Sequence, residues 1–130
     1  MMTKILVVSP SEFPGTSGDS ANYLELTLGL SRKGLEVFLL CPWHPQGKEF
    51  DERMRDMRVS VVRVPFSPPR LRKLLRGSYL VGAARFLVFL AVETAAFIYI
   101  AVREKVRYCI IRHTLLTLTL APLVTLLRIR

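Results

Sequence analysis

The first forty-two residues constrain the fold most, because they join a strand pattern, a glycine-bearing loop, a helix pattern and a second strand pattern. The apolar runs Lys4–Ser9 and Glu36–Cys41 have the length and composition of buried strands. Between them, the stretch from about Ser20 to Lys33 carries leucines at helical spacing. We predict a βαβ unit, which aims the N-terminus of its helix at a ligand beyond the first strand, usually a phosphate.

The residues at both ends of this helix are suited to terminate it. Ser17, Asp19 and Ser20 are candidate caps, since side-chain oxygens accept the unpaired N–H groups of a first helical turn. Gly34 suits the left-handed position just past the helix end. We therefore expect the glycine-bearing loop to lead into a well-defined helix N-terminus.

The rest of the chain adds two strand patterns and two helix patterns. Val59–Val64 alternates and predicts a third strand, and Tyr108–Arg112 predicts a fourth. Residues 79–104 predict a long helix that is apolar nearly all round. Residues 114–127 predict a last helix, which Pro122 should kink or break.

The order of these elements predicts the fold class. Residues 46–58 are polar and charged, so we expect a surface loop there, with at most a helical turn. The order is then β-α-β-β-α-β-α, and right-handed crossovers give an α/β fold with a Rossmann-like, doubly wound, mostly parallel sheet. Such sheets usually have about five or six strands. We therefore expect a single domain, residues 1–130, apparently truncated after four strands.

The glycine-bearing loop differs from the common nucleotide-binding motifs. Gly15 and Gly18 form G-x-x-G, not G-x-G-x-x-G, and no Gly-Lys-Ser/Thr follows. The second strand ends Leu40-Cys41-Pro42, without the acid that binds a ribose in dinucleotide-binding domains. The pattern argues against NAD, FAD and a P-loop. Two interpretations stay open: the glycines only permit a turn, or they let backbone approach a phosphate or sugar.

The sequence indicates neither a metal site nor a catalytic nucleophile. Cys41 and Cys109 each lie in an apolar run, which predicts buried thiols and no disulfide. His44 and His113 belong to no cluster with metal-ligand spacing, and we interpret each as a surface or capping residue. Ser9 and Cys41 suit packing at strand ends. We predict no catalytic residue, metal or cofactor.

Positive charge is concentrated in the second half of the chain. Residues 1–69 carry eight Lys/Arg and eight Asp/Glu, whereas residues 70–130 carry eleven against two, which gives the net charge of +9. A one-sided positive field attracts phosphate-bearing partners. Nucleic acid is the weaker choice, because the basic residues are not interleaved with aromatics and no nucleic-acid-binding motif is present.

Two adjoining segments favour a membrane surface. Residues 70–77 are basic and amphipathic, and their cations form a patch for an anionic membrane or acceptor: Arg70, Arg72, Lys73 and Arg76. A solvated basic face is the alternative. The run 79–102 is long enough to span a bilayer, but Arg85 and Glu93 interrupt it, so we expect a buried core helix, with a helix that lies partly on a membrane as the alternative. The chain start has no signal-peptide pattern, so we expect a cytoplasmic protein, with peripheral attachment at the inner face of the membrane as an alternative.

Several short motifs follow one another in an order typical of one enzyme family. They are K-I-L-V-V-S, Phe13-Pro14, the glycine pair, the leucine-rich helix, Lys33-Gly34-Leu35-Glu36-Val37 and Leu39-Leu40-Cys41-Pro42. This series resembles the start of a family 4 glycosyltransferase, and Ile110-Ile111-Arg112-His113 resembles that family's strand ending near a histidine. These enzymes have the GT-B fold, in which two Rossmann-like domains enclose the active site. They transfer a sugar from a nucleotide diphosphate sugar to an acceptor, often lipid-linked.

The resemblance implies a role for each matching segment. It implies that residues 1–130 are the N-terminal, acceptor-side domain and that the C-terminal, donor-binding domain is absent. The loop implied to contact the donor diphosphate and the acceptor consists of Gly15, Thr16, Ser17, Gly18 and Asp19. The family usually has adjacent glycines, and here Gly18-Asp19 stands at the second match. Arg112 and His113 are implied to face the acceptor cleft. The family's catalytic histidine follows a fifth strand, so His113 does not inherit that role.

These inferences give two functional expectations. The first is a glycosyltransferase N-terminal domain that is inactive alone, with a nucleotide sugar as the substrate of the complete enzyme. Its expected partners are the missing domain or a separate subunit, an anionic membrane, and a second copy of the chain. Self-association is expected because the fourth strand would be an apolar sheet edge in the family's strand order. The alternative is a small membrane-surface binding module, in which residues 70–102 act and the βαβ unit only supports them.

Overall fold

The chain alternates strands and helices from its first strand to its last helix. The computed structural model describes residues 2–10, 13–15, 17–64, 79–111 and 114–129. The elements are β1 (Lys4–Val8), α1 (Gly18–Arg32), β2 (Glu36–Pro42), α2 (Gly47–Asp56), β3 (Val59–Val64), α3 (Tyr79–Arg103), β4 (Tyr108–Ile111) and α4 (Thr114–Leu126).

The four strands form one parallel sheet in the order β3-β2-β1-β4. In the central strand, Ile5 is in register with Val37 of β2 on one side and with Tyr108 of β4 on the other. The chain therefore builds outward from β1 to β3 and then crosses back to place β4 on the opposite side of β1. This is the predicted α/β, Rossmann-like, doubly wound fold.

Helices cover both faces of the sheet, which explains why its strands read as continuous apolar runs. Successive strand residues point to opposite faces. Val7 and Leu39 pack with residues of α1 and α2 on one face, and Val8 and Leu40 pack with α3 and α4 on the other. All four of these strand residues are fully buried. A strand buried on both faces needs apolar residues at every position.

The termini of α1 agree with the sequence signals. Ser17 is the N-cap residue, and its Oγ accepts a hydrogen bond from the Ser20 N–H at 3.1 Å. Gly34, just past the end of the helix, has a φ of +84°, which few residues other than glycine adopt without strain. The helix begins at Gly18, two residues earlier than the expected start at Ser20.

The prediction of a surface loop over residues 46–58 is wrong, because the ten-residue helix α2 occupies most of it. Phe50 and Met54 lie four residues apart and both pack against the sheet. Glu49 and Arg53 form an ion pair at the same spacing on the exposed side. The order of elements is therefore β-α-β-α-β-α-β-α, and every connection between strands contains a helix.

The second half of the chain follows the predicted pattern. The long helix α3 ends at Arg103, and its inner side places Phe89, Phe97 and Ile100 in the core. Pro122 lies inside α4, which continues to Leu126, so the expected break does not occur. The basic segment 70–77 lies outside the described residues.

Ion pairs connect neighbouring elements at the amino-terminal edge of the sheet. Lys4 Nζ donates a hydrogen bond to Glu104 Oε2 at 2.8 Å and lies 3.9 Å from Glu36 Oε2. The hydrogen bond raises the pKa of Lys4 and lowers the pKa of Glu104. These contacts join the starts of β1 and β2 to the turn before β4. The same residues line a cavity of about 420 Å³ at this edge.

Candidate functional site at the carboxyl edge of the sheet

The strand order identifies one crevice at the carboxyl edge. The connection that leaves β1 leads to β2 on one side of it, and β4 lies on the other side of β1. The strand order therefore reverses between β1 and β4, which is the topological switch point. Ligands of open α/β sheets bind outside the carboxyl ends of the strands at such a point. Val8 and Ile111, the last residues of the two strands, are in register. The segments that follow them are the two predicted site segments, and Arg112 and His113 lie outside the described residues.

The loop after β1 leads directly into the N-terminus of α1. Ser17 O accepts the Ala21 N–H at 3.1 Å, and Ser17 Oγ accepts the Ser20 N–H. Within the described part of the chain, no residue accepts a hydrogen bond from the N–H of Gly18 or Asp19. Unpaired amides and the positive end of the helix dipole together favour an anion at this position.

The predicted loop residues lie at the surface. Gly15, Ser17, Gly18 and Asp19 are all exposed, and Thr16 lies outside the described residues. A Cβ added to Gly18 would meet no described atom within 4 Å. No described atom would therefore oppose a larger side chain at position 18, and the same holds for Gly29 further along α1.

Asp19 opposes anion binding at the same helix end. It is the acidic residue of the first turn of α1, and its exposed carboxylate interacts favourably with the helix dipole. An anionic ligand at the helix end would meet this negative charge. The site is therefore less electropositive than the helix N-terminus alone would make it.

Buried contacts anchor the loop on both sides. Ser9 is fully buried, and its N–H donates to the Leu40 carbonyl oxygen at 2.9 Å. Phe13 is also buried, and its ring stacks on Phe50 of α2 with centroids 5.5 Å apart. Ser9 and Phe13 therefore support strand-end and loop packing, as predicted for Ser9.

A cleft of about 680 Å³ opens between the loop and α2. Its lining combines an aromatic ring with side chains of both charges: Pro14, Pro45, Gln46, Lys48, Glu49, Phe50, Glu52 and Arg53. Pro14 is the loop residue in this lining, and the exposed residues at the N-terminus of α1 are not part of it. The sequence could not indicate the cleft, because α2 was not predicted.

The most unusual polar group lies on the inner side of α3. Glu93 is fully buried, one helical turn from Phe89 and from Phe97. Neither carboxylate oxygen has a hydrogen-bond partner among the residues that the structure describes. Burial raises the pKa of Glu93 to about 7. A buried, unpaired carboxylate is costly when charged, so the side chain favours its protonated form.

The cysteines and His44 have structural roles. Both thiols are free; Cys41 is buried and Cys109 half-buried. Burial raises the pKa of Cys41 to about 12 and also raises the pKa of Cys109, which disfavours reactive thiolates. His44 Nδ1 accepts the Gln46 N–H at 3.1 Å in the turn before α2. No group of three His, Cys, Asp or Glu residues within the described ranges could hold a metal ion.

The outer side of α3 is an exposed apolar stripe, although the inner side packs on the sheet. Its large residues are 51% to 78% exposed: Leu80, Val81, Leu87, Val88, Tyr99 and Val102. The segment Leu80–Arg103 is long and apolar enough to cross a membrane, a test that core helices of soluble proteins also pass. The predicted basic patch at Arg70, Arg72, Lys73 and Arg76 lies outside the described residues.

Comparison with protein-family models, with curated proteins and with solved structures finds no match to this chain. The protein belongs to the class of Rossmann-like α/β folds and has a four-stranded parallel sheet.

Proposed function

We propose that this chain is the N-terminal, acceptor-side domain of a GT-B glycosyltransferase, which transfers a sugar from a nucleotide diphosphate sugar to an acceptor. One observation carries the proposal: the glycine-bearing loop and the N-terminus of α1 lie at the switch point of the sheet. The motif order in residues 4–42 adds the resemblance to family 4 enzymes.

The chemistry follows from the loop and the helix end. When the sugar leaves its donor, negative charge grows on the nucleoside diphosphate. The unpaired amides of Gly18 and Asp19, together with the helix dipole, would stabilise that charge without reorganising. The acceptor would lie in the adjoining crevice, and a donor-binding domain would close over it. We propose that this domain comes from a longer chain or a separate subunit.

The test is a titration of the 130-residue protein with UDP and GDP, followed by ¹H–¹⁵N NMR. Shifts concentrated at Gly15, Gly18 and Asp19 would support the proposal. Absence of shifts at these residues with either diphosphate at millimolar concentration would contradict it. The protein alone should show no sugar transfer, and measurable transfer would refute that part.

A second candidate function has its own observation, the apolar stripe of α3. Exposed cations lie at or beyond the end of this helix, among them Arg103, Lys105 and Arg107. Apolar side chains beside cations suit the surface of an anionic bilayer, where each basic residue contributes about 1 kcal/mol. This candidate is a membrane-surface module, and it is compatible with a lipid-linked acceptor.

Vesicle flotation distinguishes the two candidates. Binding to vesicles containing phosphatidylglycerol, without any response to UDP or GDP, would favour the membrane module alone. Leu87→Glu should then abolish flotation, because it places a charge in the middle of the stripe. Trp43→Glu is the matched control, since Trp43 is an exposed apolar residue that does not belong to α3. Equal effects of the two substitutions would contradict a role for the stripe.

A further inference from the structure

Arg63 of β3 connects three elements at the carboxyl edge through its guanidinium group. Its Nε donates to both carboxylate oxygens of Asp51 on α2, at 3.0 and 2.9 Å, and Nη2 donates to Asp51 Oδ1 at 2.8 Å. Nη1 donates to the Pro42 carbonyl oxygen at 3.1 Å. Nη2 also reaches the Gly47 carbonyl oxygen at 3.4 Å. One side chain therefore holds the end of β2 and the beginning of α2 against β3.

Two contacts connect the same guanidinium group to the glycine-bearing loop: one from Arg63 to Phe50, and one from Phe50 to Phe13. The Cζ atom of Arg63 lies 5.9 Å from the centroid of the Phe50 ring. Phe50 stacks on Phe13, with ring centroids 5.5 Å apart and an interplanar angle of 22°. Phe13 is 1% exposed and precedes Gly15 by two residues. A path of packed groups therefore runs from Arg63 to the loop.

The side chain of Arg63 is mostly buried and closely surrounded by neighbouring atoms. The Arg63 side chain is 12% exposed, and a Cβ added to Gly47 would lie 2.5 Å from its Cζ atom. Burial lowers the pKa of Arg63, but the hydrogen bond to Asp51 and the electrostatic interactions with Cys41 and Asp51 together outweigh this effect, so the pKa is raised overall. The group remains a charged, hydrogen-bonded fork, a geometry that lysine cannot reproduce.

We propose that Arg63 is a positioning residue for the glycine-bearing loop. It fixes α2, so that Phe50 supports Phe13 and the loop backbone is held ready for an anion. The part of this inference that concerns ligand affinity rests on the proposed function. A loop already in its binding conformation avoids an ordering cost on binding, and a loop that populates this conformation only in part loses affinity by that fraction.

Two measurements on Arg63→Lys test the proposal. The first is amide hydrogen exchange without ligand at the loop amides that are hydrogen-bonded, those of Ser20 and Ala21, which donate to Ser17 at the end of the loop, with Val7 in β1 as the internal reference. We expect exchange at the loop amides to rise about tenfold relative to Val7. The second is UDP affinity by NMR titration, which should weaken in inverse proportion to the fraction of molecules that keep the binding conformation, if the loop binds the diphosphate.

Two further variants separate the path from general damage. Phe50→Leu keeps the Arg63–Asp51 pair but removes the aromatic stack, so it should loosen the loop as well, and it serves if Arg63→Lys does not fold. Arg55→Lys is the matched control, because Arg55 is an exposed residue of α2 that does not line the cleft beside the loop. It should leave loop exchange and UDP affinity unchanged.

The outcomes are distinguishable. Equal acceleration at Val7 and at the loop would make Arg63 a general stabiliser and overturn the inference. Unchanged exchange at the loop in both Arg63→Lys and Phe50→Leu would also overturn it. Loosening of the loop in a protein that binds neither UDP nor GDP would contradict the proposed function while supporting the positioning role.

Discussion

Glu93 lies one helical turn before Phe97 on α3, and both side chains are fully buried against the sheet. An aromatic ring gains stability from this burial, whereas a charged carboxylate loses hydration without a compensating partner among the described residues. The pKa of about 7, raised by burial from 4.5, expresses this loss.

The raised pKa predicts that stability falls as pH increases. Below about pH 4.5 the carboxyl group is protonated in both the folded and unfolded states, and its contribution is constant. Between about 4.5 and 7 the unfolded chain releases a proton that the folded chain keeps, so the free energy of unfolding decreases. The total loss is on the order of 3 kcal/mol above pH 7.

Urea unfolding at several pH values checks this prediction. Glu93→Gln should match the wild type near pH 4 and be more stable by about 2–3 kcal/mol near pH 8. Glu25→Gln, on the exposed side of α1, is the control and should leave the pH profile unchanged. A wild type and a Glu93→Gln variant with parallel profiles would contradict a protonated Glu93.

Gly18 and Gly29 form a matched pair for testing the anion site. Neither has a described atom within 4 Å of an added Cβ, and both lie in α1. Alanine should raise stability by about 0.5–1 kcal/mol at Gly29 and by less at the first helical position, Gly18. Only Gly18→Ala should weaken UDP binding, by about fivefold or more, because its methyl group enters the space at the helix end. Equal UDP affinities in the two variants would argue against a ligand there.

The charge of Asp19 gives a prediction of opposite sign. Asp19→Asn removes a negative charge from the first turn of α1, which should lower stability by about 0.3–1 kcal/mol. The same change should strengthen UDP binding about two- to fivefold, since the ligand no longer meets a carboxylate. Thermal unfolding and the NMR titration measure the two effects. Glu25→Gln, about two turns further along α1, should change UDP affinity little. If Glu25→Gln strengthened UDP binding as much as Asp19→Asn, the gain in affinity would come from the net charge of the protein and not from the position of Asp19.

The sheet edge at β4 predicts self-association. β4 is the last strand on its side of the sheet in the described structure, and Tyr108 at its start is 41% exposed. Sedimentation should show a dimer fraction that grows with concentration, and with salt, because copies carrying a net charge of +9 repel one another. Tyr108→Lys should favour the monomer more than Met57→Lys, which alters an exposed residue away from this edge. A monomer at the highest soluble concentration would rule this out.

The fold could be predicted because its determinants are local. Val59–Val64 reads as a strand from its own residues, and Gly34 indicates a helix end without reference to the rest of the chain. A mostly parallel sheet with helices on both faces then follows from the handedness of crossovers, whereas the strand order β3-β2-β1-β4 was not predicted. The helix α2 was missed because Phe50 and Met54 provide its only two large inward-facing apolar side chains, which is too weak a period to recognise.

The site was less predictable, because it depends on contacts between distant residues. Arg63 and Asp51 are twelve residues apart, and only the packing of α2 on β3 brings them together. In the sequence, Glu93 is a charge interrupting an apolar run. Its position on the inner side of α3, without a described partner, is a property of the packed helix. The loop from Gly15 to Asp19 could be proposed from the sequence because glycines and a cap carry a local signal.

The ion pairs of Lys4 with Glu104 and Glu36 lie at the opposite end of the strands from the loop that Arg63 supports. The amino-terminal edge of the sheet and the proposed anion site are thus held by separate sets of contacts. The segment between Phe13 and Ser17 can therefore be replaced by loops of other lengths and sequences while the ion pairs of Lys4 stay intact. For the same reason, the sequence of this loop can change during evolution without loss of the fold.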